Sequence, residues 1–171
     1  SIGRLTHQKN YIFLLEAFKK ILNLKNDFHL TIIGEGEERN LLEKKITELD
    51  IKNFVTIEGY QENVYKFLNN SFCYLSTSIW EGPDLAMLDA AFSNVPIICS
   101  DCQSGRKEFI DNNKRGYIFK TNDMDSLIQT WKIFLDSSDS VIKRKKIEAK
   151  KEVKNFTQFR YFLNLEKLLY S

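Results

Sequence analysis

The stretch Ser71 to Glu108, SFCYLSTSIWEGPDLAMLDAAFSNVPIICSDCQSGRKE, decides the fold. Phe72-Cys73-Tyr74-Leu75-Ser76 is a short apolar run of strand length. Glu81, Gly82 and Pro83 then make a loop, and Asp84 to Phe92 follows as a helix-like segment. A second apolar run, Val95 to Cys99, leads into another polar loop ending at Glu108. The order is strand, loop, helix, strand, loop. Such a unit gathers its loops and helix N-termini at the carboxyl edge of a parallel sheet, where α/β proteins bind ligands.

Glu81 and Asp89 carry the chemistry of this stretch. The first precedes the helix and the second lies within it. The helix start between them, near Gly82 to Ala86, presents backbone N–H groups without intrahelical partners. Those donors and the helix dipole favour an anion such as a phosphate. Two carboxylates beside an anion would repel it, so they suit hydroxyls on either side of it. A molecule with hydroxyls, then phosphate, then hydroxyls is a sugar nucleotide.

Outward from this unit the same alternation continues. Ser1 to Leu5 reads as the tail of a first strand. Asn10 can cap a helix reaching Leu24, with Leu14, Leu15, Phe18, Ile21 and Leu22 at helical spacing. Phe28 to Ile33 is a continuous apolar run fit for burial on both faces, with His29 a structural residue of that strand. Glu37 to Leu49 is a charged helix with Leu41, Leu42, Ile46 and Leu49 inward, and Phe54 to Ile57 a further strand. Val64 to Leu68 centres a short helix. Gly116 to Phe119 is a last strand, and Asp123 caps a helix to about Leu135. The remainder, about 141–170, reads as helical, lysine-rich from Val141 to Val153 and aromatic from Phe159 to Leu169. Strands alternating with helices predict an α/β, Rossmann-like parallel sheet with helices on both faces.

Four stretches carry a family resemblance. W-E-G-P-D-L-A-M-L-D-A-A, followed by V-P-I-I-C-S-D, resembles the E-x7-E signature of retaining GT-B glycosyltransferases, in particular family 4 (glycosyl transferases group 1). G-R-L-T-H-Q-K-N, T-I-I-G-E-G-E-E-R and V-T-I-E-G-Y-Q-E-N are similar to further signatures of that family, in order from Ser1 to about Phe119. The resemblance implies that 1–171 is the C-terminal, nucleotide-sugar-binding half of a GT-B enzyme. The chain opens Ser-Ile-Gly-Arg without a Met, as expected of a fragment whose N-terminal acceptor domain is absent. The implied enzyme is of the hexosyltransferase type. It moves a sugar from a nucleoside-diphosphate donor to a hydroxyl acceptor, glycan or lipid-linked, with retention, in cell-surface glycan biosynthesis. The fragment alone is expected to be inactive.

The resemblance also implies site residues. Arg4 and Lys9, which follow Gly3 at the first strand's exit, would hold the donor diphosphate; an arginine fork and a lysine point charge both suit phosphate oxygens. Glu81 would bind hydroxyls of the transferred sugar and, as a catalytic residue, help to stabilise positive charge developing at the anomeric carbon. The backbone at Gly82, Asp84, Leu85 and Ala86 would meet sugar and diphosphate, and Asp89 would bind the ribose. Aspartate there has roughly 1.5 Å less reach than the usual glutamate. Backbone just past Gly59 would contact the base, with Tyr60 packing on the ring or simply exposed. Gly105-Arg106-Lys107-Glu108 departs from the Gly-Pro-x-Glu of related sequences, and Arg106 is expected to add a charge at the rim and loosen the loop. His7 sits in the first loop and is given no catalytic role. No metal or other cofactor is expected, and no Asp-x-Asp motif argues for one.

Composition bounds these readings. The 171 residues suffice for one domain with its own core. A hydrophobic fraction of 43% excludes a disordered chain. With 25 basic and 23 acidic residues, bulk charge gives no case for nucleic-acid binding. Cys73, Cys99 and Cys102 are an odd count in apolar surroundings, which argues for a reducing compartment. No stretch reaches the ~18 apolar residues of a membrane-crossing helix. The expected location is the cytoplasm, with peripheral contact at the inner membrane face through the basic helix as an alternative to a solvated face. Two other functions stay open: a non-catalytic nucleotide-sugar-binding module, and a GT-B-type nucleotide-sugar epimerase.

Overall fold

Apolar runs become parallel strands and amphipathic stretches become the helices that cover them. A computed structural model describes residues 1–25, 27–103 and 105–156. The elements are α1 (Tyr11–Leu24), β1 (Leu30–Ile32), α2 (Arg39–Glu48), β2 (Val55–Ile57), α3 (Tyr65–Leu68) and β3 (Tyr74–Ser76). They continue with α4 (Leu85–Phe92), β4 (Ile97–Ser100), α5 (Arg106–Ile110), β5 (Tyr117–Phe119), α6 (Met124–Asp136) and α7 (Asp139–Val153). β1 pairs parallel with β2, and β4 pairs parallel with both β3 and β5. Ile2 bridges Ile33 in parallel, which places the start of the chain beside β1.

The period of two along each strand divides the core. Leu75, Ile98, Tyr117 and Phe119 point into a cluster with Leu14, Phe18 and Ile21 of α1, Leu42 and Ile46 of α2, and Leu127 and Trp131 of α6. Tyr74, Ile97 and Cys99 point the other way, onto Met87, Ala90 and Ala91 of α4, Phe109 and Ile110 of α5 and Ala149 of α7. Alternate residues of one strand thus serve opposite faces. β3 and β4 are buried on both sides, while β1, β2 and β5 keep part-buried residues; the expected α/β arrangement with helices on both faces is what the chain adopts.

Several local expectations are corrected. Leu41 is 51% exposed, because the inward stripe of α2 is carried by Leu42 and Ile46. His29 lies outside β1, is exposed, and bonds Thr56 Oγ1 at 2.8 Å. Asn10 precedes α1 in the left-handed region with φ 55°, and its side chain donates to Asn122 rather than capping the helix. Residues Arg106–Ile110, read as the end of a loop, form α5. Asp123 does cap α6, accepting from Ser126 N. The basic helix α7 spans Asp139–Val153, and the aromatic segment from Phe159 lies outside the described residues. No helix among the described residues is long and apolar enough to cross a membrane.

Candidate functional site

The first loop, residues 3–10, is pressed against two neighbours. Gly3 N–H donates to Ile33 O and Leu5 N–H to Glu35 O, both at 2.9 Å. A Cβ on Gly34 would lie 1.9 Å from Gly3 O, so the two backbones approach as only glycine permits. A Cβ on Gly3 would lie 2.5 Å from Lys9 Cε. The bare glycine therefore leaves the lane along which the Lys9 chain runs. From the other side Thr77 Oγ1, just past β3, donates to Lys9 O and Asn10 O, each at 3.1 Å. Ile79 N–H donates to Gln8 O at 2.9 Å.

These contacts bring the first loop to the loop after β3. Lys9 Nζ donates to Glu81 Oε1 at 2.6 Å, and Gln8 Nε2 reaches Glu81 Oε2 at 3.2 Å. The Glu81 side chain is only 6% exposed, so the pair is screened far less than a surface salt bridge. Trp80 is half-exposed at the rim, its ring 6.0 Å from that of His7. Arg4 is exposed and, among the described residues, has no ion-pair partner. Of the two expected phosphate cations, one is engaged within the protein and the other faces solvent.

Arg106 overturns the expectation of a charge at the rim. Its side chain is 0% exposed. The guanidinium donates through Nε to Asp84 Oδ2 at 2.8 Å, and through Nη1 to Ser100 Oγ at 2.8 Å. Nη2 donates to Ser76 Oγ at 2.7 Å, to Ser78 Oγ and Glu81 Oε1 at 3.4 Å each, and to Asp84 Oδ2 again. Far from loosening the loop, Arg106 ties it to the ends of β3 and β4. Burial, the largest influence, by itself disfavours the charged guanidinium, but the Asp84 carboxylate together with the other acidic groups around it, Cys99 and Tyr74 first among them, outweighs it and holds the pKa above its ordinary value. A buried arginine needs a matched carboxylate, and the five donors of its fork need acceptors; Asp84 and the three serines provide both.

Asp84 also changes the helix start. Its Oδ1 accepts from Met87 N at 3.1 Å, making it the N-cap of α4. Leu85 N–H donates to Pro83 O at 3.0 Å. Leu85, expected to present its backbone to a ligand, therefore has its N–H engaged locally, while Gly82 is exposed and Ala86 part-buried beside it. Asp89, part-buried on α4, accepts from Tyr65 Oη at 2.8 Å, and that bond raises the Tyr65 pKa. The tyrosine meets the shorter aspartate from the α3 side. Gly59, with φ 73°, pairs with Gly34 through Gly34 N–H to Gly59 O at 2.8 Å. Tyr60 beyond it is 77% exposed. The structure thus joins Lys9 to Glu81 directly, with Gly3 against the Lys9 chain, and Glu81 to Asp84 through Arg106; it sets Arg4, Gly59 and Gly82 on loops and Ala86 in the first turn of α4, and pairs Asp89 with a residue outside that group.

Gln8, Tyr65, Ser76, Ser78 and Ser100 were not singled out from sequence. Only Arg106, at a position where related sequences carry proline, offered a signal. Cavities of about 330 and 230 Å³ open elsewhere, around Ser1, Asn70 and Cys73. The polar convergence at Glu81, not cavity volume, marks the candidate site.

Three comparisons bear on this geometry. The model of the family described as "Glycosyl transferases group 1" matches residues 1–153. An Escherichia coli relative, UDP-Gal:alpha-D-GlcNAc-diphosphoundecaprenol alpha-1,3-galactosyltransferase, is 33% identical over 130 residues, covering 74% of this chain and 33% of its own. Among solved structures, TarM superposes with a TM-score of 0.86 at 24% identity, over 99% of this chain and 34% of that one. The C-terminal domain of a glycosyl transferase group 1 family protein from Francisella tularensis gives 0.75 at 18%, over 90% of this chain and 83% of that domain. These likenesses at low identity establish the fold. The chain spans less than half the length of the curated relatives it matches here, from about 19% to 42%.

Proposed function

The chain belongs to the glycosyl transferases group 1 family, and from that premise we propose that it is the donor-binding half of a retaining GT-B glycosyltransferase of the family 4 kind. The complete enzyme moves a sugar from a nucleoside-diphosphate donor to a hydroxyl of a glycan or lipid-linked acceptor, on the cytoplasmic side of the membrane. The E. coli relative is named for a UDP-sugar donor and a diphosphoundecaprenol-linked acceptor, and that name supports the substrate class.

The observation that carries the reading is the meeting of Lys9 with Glu81 at 2.6 Å, across 72 residues of sequence. A phosphate-type cation and a hydroxyl-accepting carboxylate stand side by side where two loops leave the sheet. Arg4 and Lys9 stabilise the departing diphosphate. Glu81 accepts from hydroxyls of the transferred sugar, and Asp89 from the ribose. Tyr60 and the backbone past Gly59 flank the base. The work is positioning and electrostatics, performed by protein cations without a metal. The basic face of α7 is read as solvated. A non-catalytic module or an epimerase gains no support from the family match.

Titration calorimetry of the complete enzyme with UDP, GDP and ADP tests the reading. One nucleotide should bind, and Arg4→Ala and Lys9→Ala should each weaken it by about 1.5–3 kcal/mol. Absence of binding at millimolar nucleotide would sink the proposal.

A further inference from the structure

We propose that Arg106 is a positioning residue of the transfer centre: from its buried place it sets where the Glu81 carboxylate and the start of α4 stand relative to a bound donor. This rests on the donor-site reading above.

The guanidinium is fully buried, so it cannot itself touch a donor in this arrangement. Its N–H groups go to the ends of β3 (Ser76, Ser78) and β4 (Ser100), to Asp84 at the cap of α4, and to Glu81. One planar fork therefore fixes, relative to one another, the elements that carry the loop residues of the site. A lysine could not do this, since it offers a point charge rather than a rigid fan. Nor is stability an adequate account of the residue. Well-packed apolar side chains commonly fill such a place at no loss, because buried ions carry a desolvation cost, and Phe109 and Ile110 beside it are of that kind.

The geometry also assigns different tasks to the two oxygens of Glu81. Oε1 accepts from Lys9 Nζ at 2.6 Å and from Arg106 Nη2 at 3.4 Å, two cations on one atom. Oε2 accepts from the neutral Gln8 amide at the longer distance of 3.2 Å. Oε1 is the anchored oxygen, and Oε2 the one that a sugar hydroxyl can share or take over. Because Asp84 balances the charge of Arg106 locally, Arg106 should matter to the sugar end of the donor far more than to its diphosphate.

The test uses the complete enzyme, UDP-galactose, UDP-N-acetylglucosamine and GDP-mannose as donors, and release of nucleoside diphosphate by donor hydrolysis, which needs no acceptor. Two variants are compared. Asp84→Asn with Arg106→Gln removes both buried charges together and leaves no lone ion in the core. Arg106→Lys keeps the charge and loses the fork. In the double variant kcat should fall roughly 100-fold, the cost of a misplaced group, with donor KM and nucleoside-diphosphate Kd within about threefold and thermal unfolding still cooperative. Arg106→Lys should recover only part of kcat. A folded double variant with wild-type kcat would overturn the proposal. So would kcat, nucleoside-diphosphate affinity and Tm falling in step, the pattern of a simple prop. A wild-type enzyme that neither binds nor hydrolyses any of the donors would overturn the donor-site reading and this proposal with it, a failure seen before any variant is made.

Discussion

Lys9 Nζ lies 2.6 Å from Glu81 Oε1, and the lysine side chain is only 15% exposed, so in the free protein this cation is already neutralised by its neighbour. Any anionic ligand must compete with that carboxylate for the lysine. Gly3 makes the contact possible, since a side chain there would block the path of Lys9, and Thr77 holds the lysine backbone in place. Arg4, exposed beside it, has no such competitor among the described residues.

Glu81→Gln should therefore separate two functions. Removing the carboxylate charge frees Lys9, so nucleoside diphosphate should bind as well as in wild type or about 10-fold more tightly, a gain of roughly 1.4 kcal/mol. Sugar transfer should fall roughly 100-fold or more, as expected for loss of a group acting in the transition state. Calorimetry with UDP beside a hydrolysis assay reads both. Weaker nucleotide binding in Glu81→Gln would mean that the pair does not compete with the ligand.

Gly34→Ala tests the close approach behind the site. The added carbon would stand 1.9 Å from Gly3 O, a backbone atom that cannot swing aside. Unfolding free energy should drop by more than about 2 kcal/mol, in the range of strained or overpacked substitutions. Because Gly3 precedes Arg4, nucleotide affinity should drop in the same variant even at temperatures where it is folded. Denaturant titration would detect a change below 0.5 kcal/mol, which would contradict the contact.

Asp101, at the exit of β4, gives an acid-range prediction. Burial alone would raise its pKa, but the Thr121 N–H and hydroxyl, donating to Oδ1 at 2.8 and 2.9 Å, together with Lys107, outweigh burial and hold it below the ordinary value. A folded-state pKa that is depressed adds stability above the unfolded value, about 3.9, and loses it as pH falls through the lowered one. The Tm advantage of wild type over Asp101→Asn should be full at neutral pH, begin to shrink as pH falls toward about 4, and vanish further into acid. A difference that is unchanged at pH 2 would count against this account.

Much of the fold was legible because periodicity is a local property. α1 and its inward residues Leu14, Leu15, Phe18, Ile21 and Leu22 agree with the 3.6-residue pattern. The strands fell where the apolar runs lie, although β1 is shorter than Phe28 to Ile33. α5 escaped notice because five residues opening Arg-Lys-Glu show no amphipathic stripe. Leu41 was misplaced because the buried face of α2 is narrow: Leu42 and Ile46, four residues apart, carry it, and Leu41 lies one residue round the helix from Leu42 and outside that face. At the site, the motif positions of Lys9 and Glu81 were legible. Arg106 was misread as an exposed charge, since a charged residue in a polar loop is exposed unless a partner is buried with it.

The sequence by itself determined the alternation of strands and helices, the two-faced core and the family to which the chain belongs. Each is written in short-range pattern: apolar spacing, turn residues and motif order. Only the tertiary structure decided which charges meet. Lys9 with Glu81, Arg106 with Asp84, and Tyr65 with Asp89 are pairs separated by 72, 22 and 24 residues. Coulomb attraction and hydrogen bonding act over a few ångströms of space and are indifferent to distance along the chain. Whether a guanidinium is a solvated rim charge or a buried brace depends on the carboxylate and hydroxyls that folding brings to it.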